Sequence, residues 1–381
     1  MADKKKLMIP GPVEVSENSL TAMGSQVVAH YGEEWTRIYN ETVELTRQVF
    51  QTENEHLFLI PGSGSAGLDA ALGSTVEGNR PTLIPINGWF GERLYSVAST
   101  HSTEVKTLNF DPGKRIDVNK VNDYLGNNKE VKVLAATQCE TSTGVKNPIK
   151  DLGKVCNDHD VLLIVDAVSS LGGTQLKTDD WNVDICVSAS QKGLEAPPGI
   201  APVSVSPRVW DLIDNTPDPG WYLNLKIWRK YATEWSDWHP FPVTMAVNNV
   251  LALRESLESI LDEGLEARFA RHREIADFLR NSFRNLGFEL LVEEDYYSTM
   301  VTAVLRDSRF TVDDLKNYLE KERSIKIAGS LGELEGQVFR IGHMGPTATY
   351  DAVLPLMYGI EEFLRKNGED IEHGAFFGKG A

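Results

Sequence analysis

The stretch Asp184–Gly193, with the sequence DICVSASQKG, places Lys192 directly after a short apolar run. Such a run predicts a buried strand. An ammonium group at the end of a buried strand is costly, and burial lowers its pKa toward the neutral amine. A neutral amine is a nucleophile suited to a Schiff base with an aldehyde. Taken alone, the stretch favours a simpler interpretation, a lysine that extends from the strand end to the surface.

Strand patterns alternate with helical patterns from residue 50 to residue 205, which predicts an α/β fold with a doubly wound, mostly parallel sheet. The run Val161–Val165 is continuously apolar, as is typical of a central parallel strand, and Asp166 follows it. Open sheets of this class bind ligands at the carboxyl ends of their strands, so Asp166 is a candidate ligand-binding carboxylate. The alternative is that Asp166 caps the next helix.

A glycine-rich turn joins a predicted strand, His56–Ile60, to a predicted helix that begins at Leu68. Free backbone N–H groups at a helix N-terminus bind anions, and Ser63 and Ser65 add hydroxyl donors, so the turn predicts a phosphate site. The same turn matches the G-x-G-x-x-G pattern of dinucleotide-binding folds. That function needs an acidic residue about 20 positions later to hold a ribose, and the chain has Asn87 there.

Composition limits the partners of this chain. Its 381 residues carry a net charge of −17, which disfavours nucleic acid and anionic membrane surfaces. The three cysteines, Cys139, Cys156 and Cys186, are sparse and lack zinc-site spacing. We therefore expect no metal site, no disulfide framework and a cytoplasmic location. The sequence shows no signal segment, and no apolar run is long enough to span a bilayer.

The length predicts more than one domain. Within residues 1–15, Pro10-Gly11-Pro12 predicts an extended arm, which is either a plain terminus or a segment that lies over a pocket. A long helical pattern breaks at Gly264. We place the boundary there, with a large domain over residues 16–262 and a smaller α+β domain over residues 263–381.

Trp221, Trp228 and Trp235 recur every seven residues, and Trp238 follows closely. This spacing predicts one packed helix face. Because tryptophan is enriched in the cores of protein interfaces, we expect part of that face to lie in a contact between subunits.

Motifs along the whole chain resemble those of class V, fold-type I aminotransferases that use pyridoxal 5'-phosphate (PLP), in the alanine–glyoxylate and serine–pyruvate group. No single motif would suffice, but their number and order together are specific. The motifs are Pro10-Gly11-Pro12, Gly62-Ser63-Gly64-Ser65, Asn87-Gly88-Trp89-Phe90-Gly91, Glu140-Thr141-Ser142-Thr143-Gly144, Val165-Asp166-Ala167-Val168-Ser169-Ser170, Ser190-Gln191-Lys192, Ala196-Pro197-Pro198-Gly199 and Phe339-Arg340-Ile341-Gly342.

The resemblance implies a role for each site residue. Lys192 would form the Schiff base and move the reacting proton, and Asp166 would pair with the pyridinium nitrogen. The cofactor-binding residues would be Ser63, Gly64, Ser65, Phe90, Thr141, Asp166, Val168, Gln191 and Lys192, with Thr244 and Phe241 reaching the phosphate from the neighbouring subunit of a homodimer. The substrate-binding residues would be Arg340, which holds the α-carboxylate, Gly11 and Tyr31. Phe90 occupies the place where the family usually has a tryptophan on the ring.

The resemblance also implies the reaction, a ping-pong transamination of a small amino acid such as alanine or serine with glyoxylate or pyruvate. Tyr31 stands where many relatives carry an arginine, which leaves the amino donor open. The alternative function is that of pyridoxamine–pyruvate aminotransferase, but that relative lacks the serine–glycine phosphate turn and has an arginine in place of Leu331. A cysteine desulfurase would need a cysteine after Lys192, and a decarboxylase would typically have a histidine in place of Phe90.

Overall fold

The computed structural model describes residues 5–76 and 80–378. The first four residues of the predicted arm and the last three of the predicted small domain lie outside this range. The strands are β1 (Lys6–Leu7), β2 (His56–Gly62), β3 (Thr82–Ile86), β4 (Val105–Asn109), β5 (Val133–Thr137), β6 (Cys139–Glu140), β7 (Val145–Lys146), β8 (Leu162–Asp166), β9 (Ile185–Val187), β10 (Gly199–Val205), β11 (Val301–Leu305), β12 (Ile325–Lys326), β13 (Ala328–Gly329) and β14 (Val338–Gly342).

The α-helices of the described residues are spread along the whole chain, and they alternate with strands through the first half. They are α1 (Glu17–Met23), α2 (Glu33–Phe50), α3 (Gly64–Thr75), α4 (Trp89–His101), α5 (Val118–Asn127), α6 (Ile149–Asp158), α7 (Trp210–Asp214), α8 (Leu225–Glu234), α9 (Val247–Glu263), α10 (Leu265–Asn285), α11 (Val312–Glu322) and α12 (Tyr350–Lys366). None of these helices is long and apolar enough to cross a membrane.

A seven-stranded sheet in the order β2-β10-β9-β8-β5-β3-β4 forms the centre of the molecule. Only β10 runs against the others, since it pairs antiparallel with both β2 and β9. The predicted central strand is confirmed as β8, in which all five residues are buried. Strands covered on both faces need no polar residues, which is why β8 has the continuous apolar sequence LLIV before Asp166. The predicted α/β fold with a mostly parallel sheet is therefore confirmed.

The later part of the chain builds a three-stranded antiparallel sheet in the order β11-β14-β13. Its hydrophobic cluster, with Phe283, Phe339 and Ile360 among its members, is separate from the cluster around the central sheet. The N-terminal arm joins this part of the molecule, because β1 pairs with β12 and Met8 is buried in the same cluster.

The tryptophan prediction is wrong in one respect. Helix α8 contains only Trp228, which is completely buried, whereas Trp221, Trp235 and Trp238 lie at or beyond the helix ends and are 39–53% exposed. The seven-residue spacing therefore does not mark one packed helix face. Instead it leaves three tryptophans on the surface.

Candidate active site

The carboxyl ends of the parallel strands gather most of the predicted site residues at one edge of the sheet. The turn after β2 holds Ser63, the first turn of α4 after β3 holds Phe90, and the loop after β5 holds Thr141. Asp166 is the last residue of β8, where its backbone pairs with Thr137 of β5 and Val187 of β9. Because neighbouring parallel strands end at the same edge, residues distant in sequence meet here.

Lys192 lies just beyond β9, and the N-terminal arm passes directly over its side chain. Its Nζ donates a hydrogen bond to the carbonyl oxygen of Pro10. A Cβ atom at Gly11 would overlap the end of the lysine side chain, so only glycine allows this approach. Gly11 also has a φ of +93°, a conformation that favours glycine. The arm is therefore not a plain terminus, because it lies against the Lys192 side chain.

The site lowers the pKa of Lys192 and so increases the neutral fraction of its amine. Burial, followed by the positive charge of Arg340, lowers the pKa of Lys192 from 10.5 to about 8. The carboxylate of Asp166 opposes this shift only weakly. Lys192 thus has the nucleophilic amine that the sequence predicted, at a pH where ordinary lysines are almost fully charged.

Asp166 is 7% exposed, and its Oδ1 accepts a hydrogen bond of 2.9 Å from the backbone N–H of Val168. It caps the turn that follows β8, in part as the alternative interpretation supposed. Burial raises the pKa of Asp166 to about 6, while the bond from Val168 acts in the opposite direction. The carboxylate is therefore ionised at neutral pH and buried, as a partner for a protonated ring nitrogen must be.

Helix α3 begins at Gly64, and Ser63 is its N-terminal capping position but makes no side-chain capping bond. This leaves the N-terminal amides and the exposed serine side chains at positions 63 and 65 available to an anion. A Cβ at Gly64 would lie 2.6 Å from a methyl group of Val168. The glycine is thus required for the helix start to lie close to the turn after Asp166.

Phe90 is half-buried in the first turn of α4, and the guanidinium of Arg93 lies 4.8 Å from its ring centroid. The positive charge of Arg93 also contributes slightly to lowering the pKa of Asp166 and Lys192. Arg93 therefore contacts Phe90 and also acts electrostatically on Asp166 and Lys192.

Arg340 lies on β14 and is only 6% exposed. Its Nε and one terminal nitrogen donate to the carbonyl oxygen of Gly329 at 2.8 and 2.7 Å, and the other terminal nitrogen donates to Thr141 at 2.9 Å. A guanidinium has five N–H donors, so one remains on each terminal nitrogen. These two remaining donors can bind the two oxygens of a carboxylate. Burial lowers the pKa of Arg340 to about 10, which still leaves it charged at neutral pH.

Three predicted residues do not join this group in the single chain. Thr244 is exposed, and Tyr31 is 53% exposed in edge contact with His30. Phe241 is completely buried, and its ring centroid lies 4.9 Å from that of Tyr39 in the core of its own subunit. The contact of Phe241 with the phosphate of a neighbouring subunit therefore stays a prediction, as does that of Thr244.

Two buried charged residues beside the site were not predicted from the sequence. Glu140, directly after Cys139 in the motif loop, is 0% exposed and accepts hydrogen bonds from the start of α4. Arg268 of α10 is 2% exposed and donates to the carbonyl oxygens of Gly172 and Gly193, in the turns that follow Asp166 and Lys192. Glu140 carries the one charge in the loop sequence TQCETSTG, residues 137–144, and this was the available signal.

Lys192 with its lowered pKa, the buried Asp166 and the start of α3 lie at one edge of the sheet, an arrangement that fits a fold-type I enzyme that uses PLP. Residues 13–335 match the family model described as aminotransferase class-V, and the chain belongs to that family. The protein is thus a PLP-dependent transaminase, as the resemblance implied.

Named relatives cover nearly the whole chain. The (S)-ureidoglycine–glyoxylate transaminase of Bacillus subtilis is 33% identical over 97% of this chain and 93% of its own length. The alanine–glyoxylate aminotransferase of Felis catus is 33% identical over 94% of this chain and 87% of its own length. The crystal structure of the Bacillus subtilis ureidoglycine–glyoxylate aminotransferase superposes with a TM-score of 0.94, at 34% identity over 99% and 97% of the two chains. The crystal structure of pyridoxamine–pyruvate aminotransferase from Mesorhizobium loti superposes with a TM-score of 0.93, at 27% identity over 98% of this chain and 95% of that chain.

The residues present fit PLP. Gly64 begins α3 in close contact with Val168, where a Cβ would overlap, and this helix start is suited to a phosphate. The side-chain oxygen of Gln191 is buried without a hydrogen-bond partner among the described residues, so this amide has unmet bonding capacity next to Lys192. The buried carboxylate of Asp166 and the amine of Lys192, with its lowered pKa, supply the two groups that the ring nitrogen and the aldehyde of the cofactor require.

Proposed function

We propose that this enzyme transfers the amino group of a small amino acid, such as alanine or serine, to glyoxylate or pyruvate by a ping-pong route. The observation that carries the proposal is Arg340, whose two remaining N–H donors can hold one carboxylate beside the amine of Lys192. The nearby cation Arg93 lies over the ring of Phe90, and it would have to leave that ring to bind a second carboxylate. Small donors with one carboxylate therefore fit best.

The chain's own residues account for the steps around the cofactor. PLP, when bound, supplies an electron sink for the negative charge that develops at the substrate's α-carbon. Arg340 holds the α-carboxylate, and Lys192, as a neutral amine, takes the α-proton and returns it. Asp166 keeps a proton on the ring nitrogen, and the helix start at Ser63, Gly64 and Ser65 with Gln191 holds the phosphate. Phe90 and Val168 would contact the two faces of the ring.

A single-turnover experiment tests the proposal. L-alanine or L-serine is added to PLP-loaded protein without a keto acid, and the released keto acid is measured together with the cofactor's absorbance. We expect one equivalent of product per site and a spectral change that glyoxylate reverses. Arg340→Lys serves as the control for recognition of the carboxylate. If no small amino acid reacts, the donor assignment is wrong.

The second candidate function is the use of free pyridoxamine as the amino donor with pyruvate, which the similarity to the Mesorhizobium loti structure favours. Against it, the serine–glycine turn at the start of α3 is intact, and the resemblance implies a second arginine in that relative where this chain has Leu331. The same spectroscopic assay with free pyridoxamine decides between the two functions.

We also infer a homodimer with shared active sites. Trp238 is in ring contact with Trp235 and Tyr31, all three are exposed, and an exposed aromatic patch of this kind is typical of an interface. Trp238→Asp should dissociate the dimer in sedimentation velocity at assay concentration. Tyr358→Asp, at an aromatic that is also about half exposed but lies on α12, is the matched control and should stay dimeric.

Two further proposals concern organisation and location. We propose the division into an arm over residues 1–15 and domains over 16–262 and 263–381, which the two separate hydrophobic clusters support. We propose a cytoplasmic location because Cys139, Cys156 and Cys186 are all buried and free, as in proteins of reducing compartments.

A further inference from the structure

Helix α4, which carries Phe90, begins without a side-chain cap of its own. Its capping position is Gly88, which has no side chain to offer. The first N–H groups of a helix have no partner within the helix and must find one elsewhere. The way in which this helix start is satisfied therefore decides how firmly Phe90 is held.

Two residues of the loop after β5 cap α4 from a distance of about fifty positions along the chain. The Oε2 atom of Glu140 accepts hydrogen bonds from the backbone N–H groups of Phe90 at 3.1 Å and Gly91 at 3.0 Å. The hydroxyl of Ser142 accepts from the N–H of Trp89 at 3.0 Å and donates to Oε1 of Glu140 at 2.5 Å. The first three amides of the helix are thus all satisfied by this pair.

The fit is close enough to exclude a side chain at the capping position. A Cβ at Gly88 would lie 2.6 Å from Cγ and Cδ of Glu140 and from the hydroxyl of Ser142. Glu140 is 0% exposed, and its Oε1 also accepts the N–H of Ser142 at 3.0 Å. Four donors converge on one buried carboxylate at the positive end of a helix, which is a favourable place for a negative charge.

The same loop orients Arg340. The residue between Glu140 and Ser142 is Thr141, and its carbonyl oxygen accepts a 2.9 Å hydrogen bond from a terminal nitrogen of Arg340. The negative charge of Glu140 also favours the charged form of that guanidinium. Glu140 therefore contacts, on one side, the helix start that carries Phe90 and, on the other, the turn that anchors Arg340.

We propose that Glu140 is a positioning residue that couples the ring-stacking residue Phe90 to the carboxylate-binding residue Arg340 through the turn 140–142. It touches neither substrate nor cofactor and acts through these two side chains. The inference rests on the proposed function for the roles of Phe90 and Arg340. It adds that their positions are set together by one buried carboxylate.

Glu140→Gln tests the coupling, because it keeps the shape but replaces an acceptor by an N–H₂ group that faces N–H donors. We expect the visible circular dichroism of PLP-loaded protein to fall, since Phe90 holds the ring less firmly. We also expect propionate, used as a plain carboxylate probe, to bind about tenfold more weakly, the scale for leaving a buried donor unpaired. Phe90→Leu should change only the dichroism, and Arg340→Lys only the propionate affinity.

Asp184→Asn is the matched control. Asp184 is a buried carboxylate that accepts the N–H of Leu163 at 2.8 Å, but it precedes β9 and lies at the opposite end of the sheet. The Asp184→Asn variant should lower the thermal midpoint without changing the circular dichroism or the propionate affinity. The coupling is refuted if Glu140→Gln lowers only the thermal midpoint, or if it changes only one of the dichroism and the propionate affinity. It is also refuted if Glu140→Gln binds propionate more tightly, because then only the charge of Glu140 matters.

Failure of the proposed function is distinguishable from failure of this inference. A wild-type protein that binds PLP but transaminates nothing contradicts the function, while both readouts still decide the coupling. Amide hydrogen exchange over residues 89–91 gives a further measure that needs neither turnover nor cofactor. It should accelerate in Glu140→Gln and stay unchanged in Asp184→Asn, and equal exchange in both variants refutes the proposal.

Discussion

The amine of Lys192 should titrate far below an ordinary lysine, and this can be measured on protein freed of cofactor. With a pKa of about 8 instead of 10.5, half of the amine is neutral at pH 8. An unperturbed lysine is only about 0.3% neutral at that pH, so Lys192 should have about 150-fold more nucleophile available. A brief pulse of acetic anhydride at a series of pH values, followed by peptide mass spectrometry, gives the titration midpoint directly.

The two neighbouring charges should move this midpoint in opposite directions. The positive charge of Arg340 disfavours the ammonium, so Arg340→Gln should raise the pKa of Lys192 toward its ordinary value. The carboxylate of Asp166 favours the ammonium, so Asp166→Asn should lower the pKa further. Midpoints are compared, and not rates, because the half-buried amine is also less accessible than surface lysines.

The reasoning would be refuted by a wild-type midpoint near 10.5. It would also be refuted if Arg340→Gln left the midpoint in place, because burial would then be the only cause. Lysines at exposed positions in the same digest provide the internal reference for reagent decay.

Three further variants test the geometry of the site. Arg340→Lys should weaken amino-acid binding by about 2–4 kcal/mol, the scale for disrupting a buried charged hydrogen-bond pair, with an unchanged cofactor spectrum in a stopped-flow titration. Gly64→Ala adds a methyl group 2.6 Å from Val168, so we expect overpacking of about 1–3 kcal/mol in thermal unfolding and weaker PLP binding by fluorescence. Adding Val168→Ala should restore both, and failure to do so would contradict the overlap. Gly88→Ala should displace Glu140 and lower the cofactor's circular dichroism, whereas an unchanged signal would contradict the close fit there.

Sequence patterns predicted the sheet well because buried parallel strands need continuous apolar runs. Asp166 directly follows the predicted apolar run, as the last residue of β8, whereas Lys192 lies in the loop after β9, which already ends at Val187. The neighbours of these residues depend on the order of strands in the sheet, which no local pattern specifies.

Features that depend on distant partners were not predictable in the same way. The seven-residue tryptophan spacing suggested a continuous helix, but Pro217, Pro219 and Gly220 precede α8 and confine it to Leu225–Glu234. Phe241 was placed by alignment of its neighbours, which says nothing of whether the side chain faces the core. Glu140 bonds to amides about fifty residues away, and no local pattern indicates such a partner.

The N-terminal arm has a mechanical consequence. Met8 is bonded on both sides to the part of the molecule built by β12 and β14, through the carbonyl of Lys326 and the N–H of Gly342. Five residues later, the N–H of Val13 donates to the carbonyl of Gln191, adjacent to Lys192. The arm is therefore a short tether between two parts of the protein, with the carbonyl that holds the Lys192 amine midway along it. Any shift of the antiparallel sheet displaces that carbonyl, so residues 8–13 transmit the displacement to the Lys192 nitrogen.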